Sequence, residues 1–340
     1  MNWEKWCLRV GAAAVCCAIL LRMSSGSMLE KVVQTLSSQE ALATMLFLET
    51  GRVFRPAQSQ PSTEPTEEPT QPAQTEPTQA ETAPREETVQ AVFAEVDAAL
   101  VEVNSVCGYD TDLPTLLQKP LSWDLPQETP TVLILHTHAT ESYTKTESYT
   151  ESSAYRTLDT GYNVVSVGAE LAKVLEEGGI KVIHDTTLHD YPSYSGSYNH
   201  ARSYIADYLK QYPSIALVLD IHRDSVEDSD GVQMRFTTQV DGQSAAQLMM
   251  VVGTDANGLN HPNWSENMSL AVKLHALLEK NCPGICRPIS FRSQRFNQDL
   301  STGAMLVEVG SAGNTRAEAL LAAQILGQAI VDLSQGTTAS

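Results

Sequence analysis

The sequence predicts a three-layer αβα fold on a mostly parallel mixed sheet, and three observations carry that expectation. Short, mainly apolar runs recur at Thr131–Leu135, Ile215–Ile221 and Ala304–Val309, as in strands buried on both faces. Helix-length segments separate most of the strand-like runs, which is the spacing of βαβ units. Each of the three runs also carries a His or Glu at or near its end, where open α/β sheets keep their sites.

The chain has 340 residues, of which 42% are hydrophobic. That is enough for one core of about 200 residues with appendages. Val10–Leu21 is uncharged and apolar, with Lys5 and Arg9 before it and Arg22 after it. Extended through Trp6–Leu8 with Arg9 snorkelling, it reaches about 16–18 positions, close to the roughly 17–25 of a spanning helix. Residues 1–24 are therefore read as the anchor of a single-pass protein of the cell membrane, its bulk extracytoplasmic. A secretory signal peptide, cleaved near Ser24–Ser27, is the alternative.

Residues 25–55 read as an amphipathic juxtamembrane segment, with Leu29, Val32, Val33, Leu36, Leu42, Met45, Leu46 and Leu48 in a broken stripe. Residues 56–119 form a Pro/Thr/Glu-rich linker with no large apolar residue before Val89. Such a stretch cannot bury enough surface to offset its conformational entropy, so it is expected to be a disordered acidic tether, with a helix possible over Ala91–Leu117. The folded domain is placed at residues 120–335.

Within it, the strand at Thr131–Leu135 is followed by a polar loop, Ser142–Leu158, in which Tyr143, Tyr149 and Tyr155 are candidates to line a groove. A helix is expected over Tyr162–Glu177, stopped by Gly178-Gly179, then a strand at Lys181–His184. A helix over Ser197–Gln211 ends before Pro213. The strand Ile215–Ile221, a hairpin around Val232–Val240 and the strand Leu248–Val252 follow. Helices over Trp264–Lys280 and Arg316–Leu333 flank the strand Ala304–Val309. The hairpin predicts that part of the sheet is antiparallel.

The formal net charge of −19, with 22 basic and 41 acidic side chains, excludes a nucleic-acid partner, which needs clustered Lys and Arg. No Gly-rich phosphate loop follows the first strand, and no G-x-S-x-G elbow occurs. Six cysteines are present. Cys282 and Cys286 are read as buried or free thiols, with a structural disulfide as the alternative.

The chemistry concentrates at the strand ends. His138 and Glu141 stand three apart in H-A-T-E, and His222 arrives in D-I-H-R-D. Two imidazoles and a carboxylate are the ligand set of a catalytic zinc site that keeps one position for water. His136, the last strand residue, is read as a contact to the ligands or the substrate, with a ligand role in place of His138 as its alternative; Asp159 is the alternative to Glu141. Glu308, between Val307 and Val309, is the candidate general base and later proton donor to a leaving amine. Asp220 is read as a partner for the free N–H of a ligand imidazole. Arg223 and Asp224 are read either as a surface ion pair or as groups that orient a substrate carboxylate. Asn297 and Gln298 are placed in the surrounding or substrate-contacting set.

Six stretches then follow one another in a recognisable order: H-T-H-A-T-E-S-Y, N-V-V-S-V-G-A-E-L, L-D-I-H-R-D, M-V-V-G-T-D, F-N-Q-D-L and V-E-V-G-S-A-G-N-T. Over about residues 125–335 the chain resembles the stage II sporulation protein P family of endospore-forming bacteria. The resemblance implies an amidase-like fold and a Zn2+-dependent peptidoglycan hydrolase, the catalytic domain spanning 120–335. The bond cut would be the amide between N-acetylmuramic acid and the L-alanine of the stem peptide, with a cross-link endopeptidase activity besides. It further implies engulfment as the setting and the stage II sporulation proteins D and M as partners. A zinc peptidase acting on peptides only, or an inactive peptidoglycan-binding module, are the alternative functions.

Overall fold

Residues 93, 95–121, 124–145 and 155–336 are described in the computed structural model of the chain. They lie in the second of the chain's two units, Thr82–Ser340. The expected anchor, the juxtamembrane segment and the linker up to residue 92 fall outside the described residues.

The strands are β1 (Val103–Ser105), β2 (Val132–Leu135), β3 (Val182–His184), β4 (Leu217–Asp224), β5 (Thr237–Val240), β6 (Gln243–Ala246), β7 (Leu248–Val252), β8 (Ile289–Phe291) and β9 (Ala304–Ser311). The helices are α1 (Leu113–Gln118), α2 (Val164–Glu177), α3 (Ser197–Gln211), α4 (Trp264–Asn281) and α5 (Arg316–Ser334). Seven strands form one sheet in the order β1-β8-β7-β9-β4-β2-β3. Neighbours are parallel except at β7 and β9. The sheet is thus two parallel blocks of opposite direction, and β2, β4 and β9 bring their carboxyl ends to one edge as adjacent strands.

This differs from the sequence reading in two places. The hairpin forms from β5 and β6 as a separate two-stranded sheet, so the antiparallel element of the main sheet is the β7/β9 seam instead. The fold also begins before Pro120: β1 pairs with β8, α1 packs against α4, and Phe93 is buried. A helix is expected within Ala91–Leu117, but β1 is a three-residue edge strand and carries too little periodicity to show in the sequence.

Alternation along the strands feeds two cores, giving three layers. Val132, Ile134, Leu219, Ile221, Val307 and Val309 join the larger cluster with side chains of α2, α4 and α5. Leu133, Leu135, Val218 and Ala304 point the other way, onto Ala201 and Ile205 of α3. Complete burial of such an aliphatic side chain is worth about 1.5–3 kcal/mol, so a one-residue slip of β2 would cost both layers. Asn163 caps α2 by accepting from the Val165 N–H at 3.0 Å. Thr315 and Glu318 form a capping box on α5. Among the described residues α5 alone is long and apolar enough to cross a membrane, yet Ala319, Ala322, Ala323, Leu326 and Ile330 are buried in the core. Cys282 and Cys286 are free thiols.

Candidate functional site

Parity along β4 and β9 decides which polar side chains meet. Asp220 and His222 share the α3-facing side of β4 with Val218, and Glu308 shares that side of β9 with Ala304. The register pairs His222 with Glu308 directly. Just beyond, β9 gains one residue relative to β4, since Asp224 pairs with Ser311. The bulge is built on Gly310, whose φ of 69° and whose contacts with Asn314 and Ala246 leave no room for a Cβ.

After β2 the chain turns at once. The Glu141 N–H donates to the His138 carbonyl at 3.0 Å, so H-A-T-E folds back and returns Glu141 toward β4. Asp220 anchors this turn, accepting from the Thr137 N–H at 2.8 Å and the Thr137 hydroxyl at 2.6 Å. Asp190 holds its far side through the Thr140 N–H at 3.1 Å and hydroxyl at 2.6 Å.

The result is a buried cluster. His222 Nδ1 stands 3.5 Å from Glu141 Oε2, and His222 Nε2 stands 2.8 Å from Asp220 Oδ1. The second approach is a charge contact without hydrogen-bond alignment, so Nε2 has no hydrogen-bond partner. The rings of His138 and His222 lie 5.3 Å apart, edge to face. Glu141 also accepts from the Arg223 N–H at 3.2 Å and from Arg156 at 3.4 Å. Glu308 Oε2 is buried with no partner.

These surroundings separate the protonation states. Burial drives the Glu308 carboxyl up to about 8, and the Glu141 and Asp224 charges push the same way against His222 and Arg223. Glu141 is held below the ordinary carboxylate range: burial opposes this, but His222 and Arg223 outweigh it. Burial and the His222 charge lower His138 to about 4, leaving a neutral imidazole. His222 is raised well above its usual value, because Asp220 and Glu141 overcome its burial.

Two members of this set, His222 and Glu141, are spaced for a shared cation. Two atoms bound at about 2.0–2.1 Å to a tetrahedral ion stand roughly 3.3–3.4 Å apart, close to the separation of His222 Nδ1 and Glu141 Oε2. The opposite nitrogen of His222 meets a carboxylate, the usual companion of a ligating imidazole. A metal entering here would displace the proton on His222. Among the described residues no group of three such side chains is already closed to metal-holding geometry. His138, turned onto Tyr194 and Ser197 with contacts of 3.1 and 3.3 Å, is the member that stands off.

The alternatives weighed from sequence land elsewhere. His136 points to the other face, where its Nδ1 meets the Ile221 carbonyl and its Nε2 meets His184 Nε2, both at 2.9 Å. A carbonyl only accepts, so Nδ1 carries the proton, Nε2 accepts from His184, and no lone pair is left over. Asp159 is exposed, accepting from the Gly161 N–H at 3.0 Å. Arg223 and Asp224 are not a surface ion pair. Arg223 is buried and donates to the Ser142 and Tyr155 carbonyls, each at 2.9 Å, while Asp224 pairs with Arg287 at 2.8 Å.

Gln298 is not a substrate contact, because its amide is used up on the Val251 carbonyl and the Gly253 N–H, both at 2.8 Å. Asn297 touches the region only indirectly, donating to the Tyr198 carbonyl at 2.8 Å. Tyr143 is buried, its hydroxyl donating to the Val309 carbonyl at 3.0 Å, so it braces the β9 bulge rather than lining a groove. Tyr149 lies outside the described residues. The sequence reading missed Arg156, Asp190, Tyr194, Ser197 and Tyr198. Tyr194, Ser197 and Tyr198 fall in the Tyr- and Ser-rich stretch at the start of α3, which read only as a helix start, while Arg156 and Asp190 gave no signal.

Fold and site together define an α/β protein with an imidazole–carboxylate cluster at the carboxyl ends of three adjacent strands. The family model described as "Stage II sporulation protein P (SpoIIP)" matches residues 27–331, and the chain belongs to that family. It is 30% identical over 198 residues to the stage II sporulation protein P of Bacillus subtilis (strain 168), a match that takes in 55% of this chain and 47% of that protein. The chain thus spans about half the length of that relative. Among solved structures it is similar to the N-acetylmuramoyl-L-alanine amidase AmiC2 of Nostoc punctiforme, at 14% identity over 59% of this chain and 96% of that one, with a TM-score of 0.35. It is also similar to the CwlD amidase of Clostridioides difficile, solved with the GerS lipoprotein, at 13% identity over 60% and 95% of the chains, with a TM-score of 0.34.

Proposed function

We propose that the protein is a zinc-dependent peptidoglycan hydrolase of sporulation, acting on the amide between N-acetylmuramic acid and the L-alanine of the stem peptide. The observation that carries this is the approach of His222 to Glu141, with the His138 ring edge-on to His222, beside the Glu308 Oε2 that has no hydrogen-bond partner. His138, Glu141 and His222 would hold the ion, and Asp220 would set the orientation of His222. Zinc bound there supplies a Lewis acid for the carbonyl and a water acidic enough to ionise near neutrality.

The remaining work belongs to the chain. An amide is a poor electrophile with a poor leaving group, so a proton must be taken from water and delivered to nitrogen. Glu308 suits that shuttle: a carboxyl lifted toward neutrality by burial can both accept and return a proton at working pH. Its alignment beside His222, fixed by the β4/β9 register, keeps the proton next to the reacting centre. Family membership supports the peptidoglycan substrate and the stage II sporulation proteins D and M as partners. The apolar residues 1–24 support attachment to the cell membrane with the hydrolase domain extracytoplasmic.

The test uses the full-length chain. Purified protein is expected to hold about one zinc and to release intact stem peptides from intact glycan strands. Cleavage confined to peptide cross-links would make it a peptidase. A metal-free protein that binds sacculi without cutting them would make it a binding module.

A further inference from the structure

Resting on the hydrolase reading above, we propose that Tyr194 is a catalytic residue, its hydroxyl donating a hydrogen bond to the carbonyl oxygen of the scissile amide. Tyr194 sits in the loop before α3 with its ring stacked on His138, centroids 4.4 Å apart and planes 11° from parallel. Its hydroxyl oxygen lies 3.1 Å from His138 Nε2. Parallel planes put that hydroxyl over the face of the imidazole, whereas the nitrogen lone pair points outward in the ring plane. The contact therefore neither consumes the lone pair nor aligns the O–H on it. His138 keeps its lone pair for a cation, and Tyr194 keeps its proton for another acceptor. The Ser197 hydroxyl, 3.3 Å from Nδ1, steadies the other side of the ring.

The reaction creates a demand for such a donor. Attack on an amide moves negative charge onto the carbonyl oxygen, and a preorganised donor aimed at that oxygen lowers the barrier. A bound zinc would polarise that oxygen, and a side-chain donor would add to it; the other side chains around the cluster are poorly placed to supply one. Glu141 and Asp220 are acceptors. Arg156 is engaged with Asp190, Thr140 and Glu141, and Arg223 with the Ser142 and Tyr155 carbonyls. Tyr198 meets His138 edge-on and is the less exposed of the two tyrosines. Tyr194, by contrast, is 57% exposed, open to a substrate, and its ring is held in place by the Arg156 guanidinium 4.8 Å above it.

The experiment compares full-length wild type with Tyr194→Phe, which keeps the stacked ring and removes only the hydroxyl, and with Tyr198→Phe. Three quantities are read: zinc content, kcat and KM on a muramoyl-peptide, and the Kd of a phosphinate that replaces its scissile amide. Tyr194→Phe is expected to retain wild-type zinc and KM while kcat falls about 10²–10³-fold. Phosphinate affinity is expected to weaken by a similar factor, because that ligand presents the charged oxygen of the transition state. Unchanged kcat and phosphinate Kd would overturn the proposal. So would a kcat loss that follows zinc loss, since Tyr194 would then only hold His138, or a loss confined to Tyr198→Phe. Wild type that binds no zinc and cuts nothing would sink the reading of the site itself, and this proposal with it.

Discussion

Two histidine pairs lie back to back across the sheet, and they are built for opposite ends. On the α2 side, His136 and His184 meet nitrogen to nitrogen at 2.9 Å, and the Ile221 carbonyl takes the remaining proton of His136. Burial lowers His136 to about 3, so the pair is neutral, and the ring packs so closely on Gly168 that a Cβ there would stand 2.5 Å away. On the α3 side, His138 and His222 are ringed by Glu141, Asp220 and Glu308, with Glu308 Oε2 left without a hydrogen-bond partner. In the first pair both nitrogens of His136 are satisfied, and the pair serves packing. The second leaves donors and charge unresolved, which a folded protein tolerates where a ligand completes the set. His136 and His138 stand two apart in H-T-H and would share a face in an extended strand; the turn that begins after His136 is what sends them to opposite sides of the sheet.

The contrast can be broken most directly at His222. His222→Ala is expected to abolish both zinc retention and hydrolysis, read by metal analysis and muropeptide release; retained zinc would mean the ion sits elsewhere. Glu308→Gln comes next, with kcat falling about 10²–10⁴-fold while zinc stays bound. A variant as active as wild type would remove Glu308 from the proton path. Asp220→Asn is expected to weaken zinc affinity by about 10–100-fold, measured by chelator competition.

The opposite pair predicts a different readout. His184→Ala strands the buried Nε2 of His136, costing about 1–3 kcal/mol of stability in urea unfolding, and zinc content is expected not to move. If zinc is lost instead, the two faces are not independent.

The smallest effect is one of pH on metal-free protein. Glu308 has its folded pKa raised to about 8, so the native state keeps a proton that the unfolded chain releases above its ordinary value. Its stabilising contribution is complete at low pH and is lost as pH rises through about 8. In the presence of chelator, unfolding midpoints are expected to drop from about pH 5 to about pH 9, and Glu308→Gln to flatten part of that slope.

Much of this was legible in the chain itself. Apolar runs long enough to be buried on both faces, separated by capped helices, dictate a layered α/β core. Hydrophobic burial and helix stops are local properties that composition and spacing express directly, as at Gly178-Gly179. The positions of His138, Glu141, His222 and Glu308 near strand ends were equally visible, because a polar residue stands out against an apolar run. Tertiary structure alone decided the rest. Only the β4/β9 register sets His222 beside Glu308, and only the fold-back after β2 brings in Glu141 rather than Asp159. Only chain contacts remote in sequence spend His136 on His184, commit Gln298 to β7 and lay Tyr194 over His138. Those outcomes depend on which lone pairs and protons meet across space, and hydrogen-bond partners separated by many residues leave no periodic trace in the order of amino acids.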